Sequence, residues 1–337
     1  MIFAEWMLKL FLNPEVLVLA FFLDLLLGDP RWLPHPVVGM GKTALFCEPR
    51  LRFLGGIIGG PKGEFLAGLL LVLLVCGGSF LFSGALLGFL FAKAPGPAGL
   101  IVSAFLVYTT IAVKSLVEHA RAVALPLAEG RLLKARQAVS MIVGRDISSL
   151  AEPEMARAAV ESIAENTSDG IVAPLFYAAI GGTPLALAYW AVNTLDAMYG
   201  HRTPENLYFG RAAARLDDFL NYLPARLTAL LFLVTGFLMR KNTAFAWQVL
   251  LRDGGKHPSP NSGRPEAAMA GVLNIRLGGV NSYHGEVSLM SYLNAAGRPV
   301  EEKDVEKALK VMQISSMLAL VFCVLLNLLI YRVILNI

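Results

Sequence analysis

The chain has 337 residues, of which 56% are hydrophobic and only 16% charged, with a net charge of +4 and a mean hydropathy of +0.60. Soluble domains carry about 25% charged residues, so the composition excludes an ordinary soluble domain, and so mild a positive charge gives no ground for a nucleic-acid partner. The three cysteines, Cys47, Cys76 and Cys323, are scattered along the chain and suit neither a disulfide framework nor a metal knuckle.

In chain order, the first apolar run, Val16 to Leu27, is short and interrupted by Asp24. Glu5 ahead of Lys9, and "GDP" after the run, do not make a signal peptide, so a retained short or re-entrant helix is predicted. Asp29 and His35 come next, around a turn stiffened by Pro30, Pro34 and Pro36. That corner suits either substrate binding or a structural turn at the membrane edge. The run Phe65 to Ala92 holds no charge at all. A bilayer core needs about 20 apolar residues of helix, so this run spans, and 98–117, 222–240 and 311–335 are further spans.

Three polar segments separate these runs: 28–64, 118–170 and 241–310, all rich in Lys and Arg. The link 93–97 has only Lys93, so the positive-inside rule places 28–64 and 118–170 in the cytoplasm and 93–97 outside. The expected architecture is all-α: a polytopic integral membrane helical bundle with amphipathic cytoplasmic helices and loops, one domain over 1–337. Segment 300–310 reads as a solvated helix leading into the last span.

Helix signals mark 152–170. Pro153 suits a first helical position, Glu152 and Glu154 suit the positive end, and Gly170 suits a stop. On that helix Glu161, Glu165 and Asp169 are spaced four apart and share a face, with Asn166 beside them. Like charges at that spacing repel, so Arg157 or a metal should face them. Taken alone the stripe also suits a wet helix face, yet it runs into apolar sequence, where ionisable residues are functional candidates. The apolar pieces of 171–200 are broken by "GGTP", as in one broken helix or a re-entrant hairpin. Within them Asp196 is the only charge between Leu185 and Gly200, with Asn193 on its face. A lone buried carboxylate needs a cation, although helix–helix hydrogen bonding is the plainer use of such residues.

Two more clusters lie further along. "ARLDDFLNYLPARLTALL" offers Asp217 and Asn221 on one face and Arg226 just inside an apolar run, for function or for anchoring. "RDGGKHPSPNSGRPEAAMAG" breaks regular structure with glycines and prolines. It supplies Lys256, His257, Ser259, Asn261, Ser262 and Arg264 ahead of a helix N-terminus, an arrangement that binds anions. It lacks Walker A spacing.

The residues thus assign Glu161, Glu165, Asn166, Asp169, Asp196 and Asp217 to catalysis, with Glu165, Asp169 and Asp196 as Mg²⁺ ligands. Asp29, His35, Asn193, Asn221 and Arg226, with the 256–264 loop donors, are assigned to substrate or phosphate. Ion transport, or non-catalytic membrane signalling, is the alternative use of the same acids.

The strings "GDPRWLPHPV", "RAAVESIAENTSDGIVAPLFYAAIGG", "NTLDAMYG", "ARLDDFLNYLPARLTA" and "GGKHPSPNSGRPEAAMAG" resemble the adenosylcobinamide-phosphate synthase family of cobalamin biosynthesis. The resemblance runs in the same order from about residue 20 to 320. It implies a multi-pass enzyme of the cytoplasmic membrane that joins aminopropanol, or its O-phosphate, to the propionate carboxylate of adenosylcobyric acid. It also implies ATP and Mg²⁺, a corrinoid substrate whose cobalt takes no predicted protein ligand, and other corrinoid-pathway enzymes as partners.

Overall fold

A computed structural model describes residues 12–335, except 31, 34, 94–96, 145, 148–149, 202 and 284–285. The sequence readings of Glu5, Lys9 and Pro34 lie outside the described residues.

The helices in chain order are α1 (Pro14–Leu27), α2 (Pro36–Ile58), α3 (Gly60–Lys93), α4 (Ala98–Tyr108), α5 (Val113–Ala128), α6 (Leu132–Val139) and α7 (Glu152–Thr167). A π-helical turn, Ser168–Val172, leads into α8 (Ala173–Tyr199), then α9 (Arg211–Leu220), α10 (Tyr222–Leu238), α11 (Thr243–Asp253) and α12 (Gly263–Leu273). Strands β1 (Leu277–Tyr283) and β2 (Glu286–Leu293) precede the long α13 (Glu302–Leu335). Among the described residues four helical stretches are long and apolar enough to cross a membrane: Gly60–Lys93, Ala98–Ala128, Glu152–Tyr199 and Glu302–Ile334. A fifth arises if α9 and α10 act as one broken span. This is an all-α polytopic membrane protein.

The chain divides into two compact units. One holds the described residues up to Ala112, with Ala173–Asn221 and the chain from Leu320; the other holds Val113–Val172 and Tyr222–Ala319. In the first unit α2 and α3 form an antiparallel hairpin turned at Gly59–Gly60. The two helices touch backbone to backbone there: a Cβ on Gly63 would lie 2.0 Å from the Gly55 carbonyl oxygen. Pro36 starts α2, and His35 Nδ1 accepts the Val37 N–H at 3.3 Å to cap it. In the second unit the helices α10 and α13 are pinned by a buried hydroxyl pair, Thr235 Oγ1 to Ser315 Oγ at 2.7 Å, a use of small polar side chains typical of apolar surroundings.

Several expectations are corrected. Gly170 does not stop α7: the chain continues through the π turn, which takes in both Asp169 and Gly170. The 98–117 run is two helices parted at 109–112. Segment 300–310 is helical but not simply solvated, because Asp304, Val305, Ala308 and Leu309 are buried. The expected break at "GGTP" is, by contrast, present as a kink within α8: Gly182 takes φ +64°, a conformation that costs other residues dearly. The sequence reading also missed the β1–β2 hairpin, whose antiparallel register pairs Val280 with Leu289 and Tyr283 with Glu286.

Candidate functional site

In the second unit, α7 aims its side chains at the loop between α11 and α12. Glu165, one turn beyond Glu161, accepts the Ser262 hydroxyl at 2.7 Å. The loop is shaped from within: His257 Nδ1 accepts the Ser259 N–H at 3.0 Å. Ser259 Oγ in turn accepts the N–H groups of Asn261 and Ser262 at 3.2 and 3.3 Å. With Pro258 and Pro260 unable to donate, these side-chain acceptors take the turn's amides.

The charges of this region are mostly positive. Arg264 has a buried Nε with no hydrogen-bond partner, and its charge acts on Arg226. Arg226 is steadied locally, donating to the Tyr222 carbonyl at 2.7 Å and lying 3.3 Å over the Tyr222 ring. Two guanidiniums that act on each other, one with an orphaned donor, make a place where an anion is stabilised. Lys256 behaves differently from its sequence reading: its Nζ is 2.7 Å from Asp253 Oδ1, so it has an internal partner. Asp253, 1% exposed, also takes Arg252 Nη2 at 2.6 Å and the Asn294 N–H at 2.8 Å. Burial pushes its carboxyl up, but Arg252, Lys256 and the Asn294 amide together hold it well below the usual carboxylate range.

Glu161 and Asn166 are also internally engaged. Glu161 accepts from Arg157 at 3.2 Å and from the Gly278 N–H at 2.8 Å. Asn166 donates back to Ser162 at 2.9 Å. Asp169 is half-buried in the π turn, beside Ser168, whose Oγ is buried without a hydrogen-bond partner. Single π turns recur at functional sites.

In the first unit, α8 and α9 build a second constellation around Asp217. Asn193 donates to its Oδ1 at 3.4 Å and Asn221 to its Oδ2 at 3.0 Å. The charge of Asp196 bears on Asp217, so the two carboxylates oppose one another. Tyr189, missed from sequence, fixes Asn221 through a 2.8 Å hydrogen bond and stacks on Tyr177 with centroids 4.9 Å apart. Its signal was available: Tyr189, Asn193 and Asp196 recur at i, i+4 and i+7.

Elsewhere in that unit His35 Nε2 lies 3.9 Å from Asp29. Burial pulls the imidazole below its ordinary value, against the opposing effects of Asp29 and the Thr109 carbonyl. His35 borders a mainly apolar cavity of about 540 Å³. Arg52, also missed, is a hub: it bonds Glu48 at 2.9 Å, Glu64 at 2.8 Å and Asn206 at 2.8 Å.

A family profile for CobD/CbiB proteins matches residues 17–312. The chain belongs to the CobD/CbiB family. Relatives named cobalamin biosynthesis protein CobD include that of Geobacter metallireducens, 50% identical over 80% of this chain and 83% of its own. That of Halalkalibacterium halodurans is 45% identical over 94% and 97%, and that of Listeria monocytogenes serotype 4b is 40% identical over 90% and 94%. No solved structure matches the chain. This CobD/CbiB protein therefore has its role in cobalamin biosynthesis.

Among the described residues no three His, Cys, Asp or Glu side chains form a group that could hold a metal ion. Mg²⁺ usually takes one or two carboxylates plus substrate phosphates, and Glu165, bonded to Ser262 of the loop that carries Arg264, is a carboxylate of that kind. Asp196, the third expected ligand, stands in the first unit with Asp217.

Proposed function

We propose that this protein is an ATP-dependent amide ligase that joins aminopropanol, or its O-phosphate, to the propionate carboxylate of adenosylcobyric acid. The observation that carries the reading is the loop: an acid on α7, Glu165, is bonded to Ser262 in the same loop that brings Arg264 and its unpartnered Nε to Arg226. Cations that bind phosphate, next to carboxylates that bind a hard metal, are what phosphoryl transfer to a carboxylate requires.

A carboxylate resists amine attack until one oxygen becomes a leaving group. In the proposed route its oxygen takes the γ-phosphoryl group of ATP, releasing ADP. The neutral amine then attacks the acyl carbon, phosphate departs with the C–O bond electrons, and the nitrogen loses its proton. Arg226 and Arg264 bind and orient phosphate oxygens. Mg²⁺, held by Glu165 and Asp169, would neutralise nucleotide charge. The opposed pair Asp196 and Asp217, the latter bonded by Asn193 and Asn221, suits a cation such as the ammonium of the amine. In this reading Asp217 accepts the amine proton. The basic segments 28–64 and 118–170 support a cytoplasm-facing site in the cytoplasmic membrane.

The test uses purified protein with adenosylcobyric acid, ATP, Mg²⁺ and each aminopropanol form, followed by corrinoid mass and ADP release. A mass gain matching one amide, with one ADP, is expected; no gain with either amine removes the enzyme reading. Asp169→Ala and Asp196→Ala should each abolish product while the protein stays in the membrane, and wild-type turnover in both would sink the assignment of the acids.

A further inference from the structure

Arg157 and Glu161 do something other than line a site: they clamp the β1–β2 hairpin. Arg157, buried on α7, donates Nη1 to the Gly278 carbonyl at 2.5 Å and Nη2 to the Val280 carbonyl at 2.9 Å and Asn281 Oδ1 at 3.0 Å. Its Nη1 also reaches Glu161 at 3.2 Å, and the same Glu161 oxygen takes the Gly278 N–H at 2.8 Å. Gly278 is therefore held by both its amide and its carbonyl. It is also where the hairpin bends: the register slips between Leu277 and Gly279, and Gly278 and Gly279 have φ of +75° and +95°.

The same open end of the hairpin, where Leu277 pairs with Leu293, leads to the anion loop. The strands pack against α12, and β2 also against α11, the two helices that flank the loop. Just past β2, the Asn294 N–H donates to Asp253, and Asp253 binds Lys256 within the loop. Meanwhile Glu165, on the same helix as the clamp, binds Ser262 at the loop's other end. One helix thus grips the loop twice, once directly and once through the hairpin.

We propose that Arg157 and Glu161 are positioning residues that set the geometry of the 254–264 loop through the 277–293 hairpin. The functional consequence rests on reading that loop as the phosphate site; the mechanical coupling does not. The guanidinium fork is essential to it, because one planar group serves four acceptors, whereas a lysine keeps the charge and loses the fork.

The experiment compares full-length wild type, Arg157→Lys and Glu161→Gln in lipid nanodiscs by hydrogen exchange without nucleotide, then with ATP. In Arg157→Lys, exchange should rise about tenfold over 277–294 and, with it, over 254–264, while α3 and α10 stay unchanged. Glu161→Gln should show a smaller rise, since its remaining carbonyl oxygen can still accept. The apparent KM for ATP should rise about tenfold in Arg157→Lys with kcat within about twofold. Faster hairpin exchange with an unchanged loop overturns the coupling, as does no change in either. If wild type shows neither ATP protection nor turnover, the phosphate reading fails, while the nucleotide-free exchange still decides the coupling.

Discussion

The two constellations are opposite in electrical design. Around the 254–264 loop the orphaned donor is cationic, on Arg264, and the carboxylates are engaged: Asp253 with Arg252 and Lys256, Glu165 with Ser262. Around Asp217 the order is reversed. Two carboxylates oppose one another, the side-chain donors are neutral amides, and a tyrosine holds one of those amides from behind. The first arrangement offers a cationic donor and the second a pair of carboxylates, and the proposed function uses them accordingly: an anion for the loop, a cation for the acid pair. A residue's type says little about this. What decides it is whether the residue already has a partner inside the protein.

The sharpest way to break that comparison is to remove one charge from each constellation. Arg264→Ala should raise the apparent KM for ATP about 100-fold and leave the KM for the amine near wild type, because it removes an uncompensated phosphate donor. Asp217→Ala should do the converse. Initial-rate kinetics with each substrate varied would show the split, and parallel losses in both variants would mean the two regions do not divide the ligands.

A second prediction concerns stability. Asp253→Ala leaves Arg252 and Lys256 without their buried acceptor and frees the Asn294 amide, so a loss of about 3–5 kcal/mol is expected in thermal unfolding in detergent. The sign with pH comes from its depressed carboxyl. Its stabilisation is fully present above the unfolded aspartate value, about 4, and is lost as pH falls from there toward the lower folded value. The melting gap between wild type and Asp253→Ala should therefore be constant from neutral pH down to about 5 and narrow below about 4. A gap that already narrows at pH 6 would contradict the assignment.

The smallest expected effect is Ser262→Ala. It removes one hydroxyl donor from Glu165 and should cost about 1 kcal/mol of stability. Because Glu165 keeps its place on α7, turnover should fall far less than in Asp169→Ala. Equal losses would mean that the Ser262 bond, rather than the acids, organises the site.

Much of this was legible in the chain. Charge-free runs of about 20 residues or more have no stable place but a bilayer, so the helical membrane architecture came from composition and length alone. So did the start of α7 at Pro153, the break at "GGTP", and the suspicion attached to Asp196 and to the 256–264 donors, because local chemistry governs each. Partnership could not be read there. Lys256 and Glu161 carry the residue types of a site, yet one pairs with Asp253 and the other with Arg157 and Gly278. Arg52 and Tyr189 looked ordinary and are hubs. The π turn that takes in Asp169 and packs against α10 has no local signal in the sequence. The hairpin's role depends on a contact between residues far apart in sequence, Arg157 and Gly278. Hydropathy and capping act over a few residues and are written in the chain itself. The pairing of buried charges is a long-range choice with a large desolvation penalty for every error, and only the tertiary structure makes it.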